Sequence, residues 1–580
     1  MWKIQPTQIE RRPRDVTCCV IFLVAVASFA GALYYAYHQG KPQLLLGLKD
    51  SSGQACGVDA DVKLQPYLFV CPDQLNEFSI NAQRVCVDAC PASTLAPSYC
   101  SKGYASMPTD SMICMPTGES SDMLDKMQRS GMKFVLNFSY FYNCVSHAWP
   151  VLLIITPLLT MLVGLCYLRC LEARASLVFW TSAALVILAA SVTAVLFLSA
   201  HFQPEAAEPT DAEQRWVEGD DLAYGIIAGL VAVLSLVVTW AGRFNLRRSF
   251  FFLEAAGECL MDSPAMMAQP CIECLKKALL VNVFALGFFS LLSCRNRIEG
   301  PLFGSMLFFM LVIFLWLAES VSTLSHYVMG FLSEEWFFST YDAYQNRKLM
   351  PCSAMGEAYR TGLFLYLGSV GFGAICNVVL KPLRWTLRLV LLVCRCGACE
   401  GVRNFYRKMA PFTDSAFLSI ALDGHAYLDA CNESFRIFDN ENVQDSWLHG
   451  VLLEVQFIGS CAISCFVTLV TWLLVSVLPV FTDPMSSRYI EERGAVVLAA
   501  FLIAHICSWS FMECVGLVAE ALLFSYKAGT GGYLGLSTMV SERTALFEMP
   551  DCAGGQRGFA PFSHHPPKVT QMMQFLNDGY

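Results

Sequence analysis

Apolar runs of span length recur along this chain, and they decide what it can fold into. Val16–Tyr37, Trp149–Arg169, Ala175–Ala200 and Leu222–Arg243 are each long enough to cross a hydrocarbon core, which takes about 20 residues of helix. Further runs lie at about 275–294, 301–326, 359–394, 450–480 and 493–525, nine in all. Lipid offers the backbone no hydrogen-bond partners, so every span must be helical. The expected fold is all-α, a polytopic transmembrane helical bundle of 9–10 spans. Only 15% of the 580 residues are charged, well below the quarter usual in soluble domains. The net charge of −9 is diffuse and there is no basic patch, which argues against a nucleic-acid partner.

Arginine and lysine beside the spans set the orientation. Arg11, Arg12 and Arg14 place residues 1–15 in the cytoplasm, ahead of a first, uncleaved helix over 16–37 that ends in the interfacial aromatics Tyr34, Tyr35 and Tyr37. Arg243, Arg247 and Arg248 place the end of the fourth span on the same side. Residues 38–147 then form an extracellular loop holding Cys56, Cys71, Cys86, Cys90, Cys100 and Cys114, which make three bridges of undetermined connectivity in an oxidising compartment, or stay free thiols. Asn137-Phe138-Ser139 is a glycosylation acceptor on the correct side.

The later spans raise a conflict. The stretch 250–270 reads as an interfacial amphipathic helix closed by Pro270, and 359–394 as a long seventh span. Its end carries Lys381, Arg384, Arg388 and Arg395, which argue for cytoplasm, whereas seven crossings finish outside. A tenth, polar, membrane-embedded piece at 327–345 or 412–431 would restore parity. Residues 148–525 make up the membrane core, and the tail 526–580, rich in Gly, Pro and polar residues, reads as disordered and cytoplasmic.

Several blocks in order carry a resemblance. Arg360-Thr361-Gly362-Leu363, Tyr366-Leu367-Gly368-Ser369 and Phe372-Gly373-Ala374 run into a basic amphipathic end, and Cys394-Arg395-Cys396-Gly397-Ala398-Cys399 precedes the stretch from Gly401 to Phe438. Nearer the start stand Arg12-Pro13-Arg14-Asp15-Val16, Gly40-Lys41-Pro42, Asp50-Ser51-Ser52-Gly53 and Cys86-Val87-Asp88-Ala89-Cys90-Pro91. Together they resemble the choline transporter-like family. The resemblance implies transport of choline or a related small organic cation without ATP hydrolysis, in the plasma membrane or an organellar one. Alternatives are another solute such as ethanolamine, or a non-transporting receptor or scaffold acting through the outer loop. No phosphate-cradling, GxSxG or HExxH motif is present, so neither an enzyme nor a cofactor or metal is expected.

A quaternary ammonium ion donates no ordinary hydrogen bond, so a site for it needs aromatic faces and an anionic group. Trp316 and Glu319 share one face of the sixth span; Trp509, Glu513 and Glu520 share one face of the last. Glu454 and Gln456 open a helix that later carries Trp472. Substrate-binding candidates are therefore Trp316, Glu319, Glu454, Gln456, Trp472, Trp509 and Glu513, with His505 a partner or a core histidine, because a carboxylate in a span is a pathway residue by default. The plainer readings are packing for Trp316 and interfacial positions for Glu454 and Glu520. Gly368, Gly371 and Gly373 serve as a hinge or a close-packing face, and Cys394, Cys396 and Cys399 are palmitoylation candidates, with zinc the alternative. Membrane lipid and the small-molecule substrate are the expected partners.

Overall fold

The structure, a computed structural model, describes residues 6–40, parts of 50–116, 145–202, 221–294, 300–393, 405–439, 446–530 and 568–572, short intervals within these ranges excepted. Asn137, Cys394, Cys396 and Cys399 lie outside the described residues. The helices are α1 (Val16–Gln39), α2 (Thr156–Phe202), α3 (Asp221–Asp262), α4 (Pro264–Ser293), α5 (Gly300–Phe338), α6 (Ala354–Phe364), α7 (Leu367–Val393), α8 (Ala416–Asp423), α9 (Tyr427–Asp439), α10 (Ser446–Val477) and α11 (Arg493–Thr530).

Among the described residues six helices are long and apolar enough to cross a membrane, or seven if α6 and α7, bent by 75° at their break, count as one. The count falls below the nine to ten expected because it takes Val151–Ser199 as one helix and leaves out the shorter run in α3. Trp149–Arg169 and Ala175–Ala200 remain two runs, divided at Arg174, which leaves helical geometry (φ −154°, ψ 77°). The chain doubles back there, so that Ser182 Oγ donates to Tyr167 Oη at 3.2 Å. Leu222–Val237 is a shorter apolar run inside α3. The region 412–431 holds the eight-residue α8, about 12 Å long and too short to span. Residues 250–262 complete α3 instead of lying at an interface: Phe252, Leu253, Ala256 and Leu260 are buried in the main core, and Pro270 sits inside α4.

Contacts sort the helix ends into two layers. Gly40 meets Ser290, and His147 Nδ1 lies 3.1 Å from the Tyr489 carbonyl, so the ends of α1 and α4, the start of α2 and the α10–α11 connection share one layer. Ala148, Val151, Val475, Phe481, Ile490 and Val496 form a satellite core there. The opposite layer holds the main core, built from the second half of α3, the last turns of α5 and α11, and α8 and α9. The basic strap ahead of α1 lies in it, since Arg11 donates to the Ile420 carbonyl at 3.3 Å and to that of Ala421. The positive-inside rule expects this layer to face the cytoplasm.

That arrangement removes the parity conflict. Gly368 of α7 packs against the backbone of Asp15 at the mouth of α1, and Arg384, four turns later, donates to the Phe412 carbonyl just before α8. Over residues 368–384, α7 therefore runs across the inner layer, and its basic residues stay inside without an extra crossing. A side chain at Gly368 would collide with the Asp15 carbonyl, and one at Gly373 with Phe417 and Tyr427.

The outer region is held covalently. Cys56–Cys86, Cys71–Cys100 and Cys90–Cys114 each close a loop of 24 to 30 residues, worth roughly 3–4 kcal/mol apiece in lost unfolded-chain entropy. Two antiparallel hairpins, β1 (Tyr67–Val70) with β2 (Arg84–Val87) and β3 (Ser106–Pro108) with β4 (Cys114–Pro116), carry Cys71, Cys86 and Cys114 on or beside their strands.

Two features amend the tail's reading. α11 extends to Thr530, and Val569 and Met572, one helical turn apart, are fully buried in the main core. Lys568 donates to the Glu172 carbonyl at the α2 reversal. Beside it, burial raises the Glu258 carboxyl to about 7, with Asp262 and Glu172 adding to the rise and Lys568 and the Val569 amide opposing it. For a carboxyl with a raised folded-state value, the contribution to stability is fully present below the ordinary value of 4.5 and is lost as pH climbs through about 7. The thermal midpoint in detergent is expected to fall between pH 5 and pH 8, and Glu258→Gln should flatten that slope; an unchanged slope would place the titration elsewhere.

Candidate functional site

Six polar side chains from four segments meet where α5, α7 and α11 converge. Glu319 and His326 lie on one face of α5, seven residues apart. Asn377 and Lys381 lie on one face of α7, four apart. Asp414 precedes α8, and Glu513 comes from α11. Lys381 Nζ donates to Glu319 Oε1 at 2.6 Å and pairs with Asp414 Oδ2 at 3.2 Å. Asn377 Nδ2 donates to Asp414 Oδ1 at 2.7 Å. His326 lies 3.8 Å from that same oxygen through Nδ1 and 3.1 Å from Glu513 Oε1 through Nε2. The result is one chain of charge from Glu319 through Lys381, Asp414 and His326 to Glu513.

Asp414 is its centre. Burial by itself would raise this carboxyl, but the charges of Lys381 and His326 and the hydrogen bonds from Lys381 and Asn377 prevail and hold it at about 2. Carboxylates outnumber cationic side chains in the chain whether or not His326 carries its second proton. Lys277 pairs with Glu273 on α4 and leaves that balance unchanged.

An open cleft of about 380 Å³ adjoins this chain, lined by Lys277, Leu315, Ala318, Glu319, Ser322, Asn377, Val378, Lys381 and Pro382. α5 and α7 each contribute both apolar and charged or polar side chains to it. Trp316 turns away from it: its indole N–H donates to the Gly371 carbonyl at 2.7 Å, and its ring meets Phe22 of α1 edge to face at 5.3 Å.

Of the sequence candidates, the structure brings Glu319 and Glu513 into one network and separates the rest from it. Trp509, one turn before Glu513, lies 6.0 Å from the His505 ring, which stacks on Phe501 at 5.8 Å. Glu454 abuts Gly242 of α3. Gln456 is buried, and Trp472 is 45% exposed on the outer surface of α10. His326, Asn377, Lys381 and Asp414 were not candidates. Glu319, Ser322 and His326 follow an i, i+3, i+7 stripe that would have revealed the histidine. Lys381 was instead counted as a cytoplasmic marker. Among the described residues no cluster of three or more His, Cys, Asp or Glu side chains is placed to hold a metal ion.

A family model described as plasma-membrane choline transporter matches residues 226–528, just over half of the chain. A choline transporter-like protein 2 of Danio rerio is 33% identical over 88 residues, 14% of this chain and 12% of its own length. A choline transporter-like protein 4 of Sus scrofa is 30% identical over 125 residues, 19% of this chain and 17% of its own, and a choline transporter-like 2 of Anopheles gambiae is 26% identical over 122 residues, 20% and 15%. Each alignment thus spans under a fifth of the relative. The matched residues 226–528 contain the whole polar chain.

The energetic coupling of that chain is measurable. Lys381→Met and Glu319→Gln are each expected to lower the thermal midpoint. The double variant should cost less than the two singles together, with a coupling of about 1 kcal/mol as for a half-exposed pair. Strict additivity would show that the contact contributes nothing.

Proposed function

Because the chain belongs to the plasma-membrane choline transporter family, we propose that it carries choline or a related small organic cation across the membrane without ATP hydrolysis. The observation that carries this reading is the cleft beside Glu319, where a carboxylate and the aliphatic side chains of Leu315, Ala318, Val378 and Pro382 line one space. A trimethylammonium head is a cation coated in methyl groups. It needs an anion within Coulomb range and apolar surface for the methyls, and no hydrogen-bond acceptor.

Lys381 gives the site a way to cycle. Its ammonium already neutralises Glu319 and Asp414, so an arriving cation competes with it for Glu319, and Lys381 keeps Asp414. Departure of the cation restores the resting pair. No carboxylate is then left in a low-dielectric site without a counter-charge, which would cost several kcal/mol. Because Lys381 and Asn377 sit on α7 and Glu319 on α5, this exchange loosens one helix from the other, which is the kind of two-state element that alternating access requires.

Purified protein in proteoliposomes is expected to take up radiolabelled choline saturably. Glu319→Gln and Glu513→Gln should each reduce kcat/KM at least about tenfold, equivalent to roughly 1.4 kcal/mol of lost stabilisation. Competition by ethanolamine as strong as that by choline would shift the substrate to primary amines. Absence of saturable uptake by correctly oriented protein would overturn the proposal.

A further inference from the structure

The strap ahead of α1 ends in a feature that the transport site does not use. Thr7 donates from its amide and its hydroxyl to the two oxygens of Glu335, at 3.1 and 3.0 Å. Arg14 donates its amide to the Leu365 carbonyl at 3.2 Å, at the break between α6 and α7. Asp15 accepts from Ser369 Oγ at 2.6 Å and from the Tyr427 amide at 2.9 Å. Asp15 is also the one non-glycine among the described residues with a positive φ, 51°. A non-glycine residue is held there only when its surroundings over-determine it.

Between these anchors Arg11 enters an aromatic chamber. Its guanidinium lies 5.0 Å from the Phe331 ring centroid and 5.7 Å from that of Tyr366, and it donates to Tyr327 Oη at 3.2 Å. Tyr327, Phe331 and Tyr366 are all fully buried. One turn beyond Phe331 stands Glu334, also fully buried, with neither carboxylate oxygen hydrogen-bonded. Two ring faces, a phenol oxygen and a buried acid one turn away make a setting suited to a guanidinium ion. Arginine is the strap's contribution; the rings and the acid come from α5 and the α6–α7 break, and the Ile420 and Ala421 carbonyls of α8 accept from the same guanidinium.

We propose that this chamber is a second cation site on the inner face, and that Arg11 is its tethered occupant, which a small organic cation replaces when the strap leaves. Resting on the transport reading above, the exchange would make the strap an inner stopper: a cation moving inward from the Glu319 cleft competes with Arg11 before release.

Methylguanidinium and purified protein test the site without transport. In wild-type protein the chamber is filled, so this cation should move the thermal midpoint only by what the Glu319 cleft contributes. In Arg11→Ala, about 10 mM methylguanidinium is expected to raise the midpoint by roughly 3 °C more than in wild type, as for a ligand well above its Kd. That excess should survive Glu319→Gln, vanish with Phe331→Leu, and be absent in Arg11→Lys, which keeps a tethered cation. If Arg11→Ala does not fold, Glu335→Gln, which frees the Thr7 anchor and leaves the rings intact, is expected to show the same excess. Destabilisation by Arg11→Ala with no recovery in methylguanidinium would overturn the proposal and leave the transport reading standing. An excess shift alongside absent choline uptake would do the reverse.

Discussion

Asp414 is the point on which the inner half of the molecule depends. Lys381, Asn377 and His326 all turn toward its carboxylate, and through them α5, α7 and α11 are joined to the segment before α8. A charge in such a place is tolerated only when counter-charges and hydrogen bonds replace its lost hydration. The carboxyl therefore fixes where the neighbouring helices must stand. Remove it, and Lys381 has only Glu319, while His326 has only Glu513.

This dependence explains why the layer is built as it is. α7 crosses the layer obliquely because Gly368 needs the Asp15 backbone at one end and Arg384 needs the Phe412 carbonyl at the other. The strap before α1 joins the same layer through Arg11 and Asp15. Apolar packing of α3, α5, α8, α9 and α11 surrounds these polar contacts with a continuous core, which lowers the local dielectric and strengthens each of them. The outer region follows a different logic. Three disulfides hold short hairpins in place, and among the described residues a small apolar cluster of Cys56, Val62, Leu68 and Cys86 lies with them.

Apolar length was legible because lipid imposes it residue by residue, and so was the bridging of the six cysteines between residues 56 and 114. Arrangement was less so. The continuation of α3 to Asp262 depends on what the inner segments pack against, and periodicity does not report that. Lys381 shows the limit most clearly: next to a span a basic residue reads as a topology marker, yet here it is half-buried and bound to Glu319 and Asp414. Its partners lie 62 and 33 positions away in the chain, and only the fold brings them together. Glu319 and Glu513 were recognisable singly, as carboxylates inside apolar helices. Their membership in one network was not, since His326 and Asp414 connect them.

The central claim, that the Glu319–Lys381 cleft receives an organic cation, is tested most directly by locating one. An experimental structure determined with choline bound is expected to show its trimethylammonium head beside Glu319, among Leu315, Ala318, Val378 and Pro382, with Lys381 drawn toward Asp414. Choline bound elsewhere, with the Glu319–Lys381 pair intact, would contradict the account.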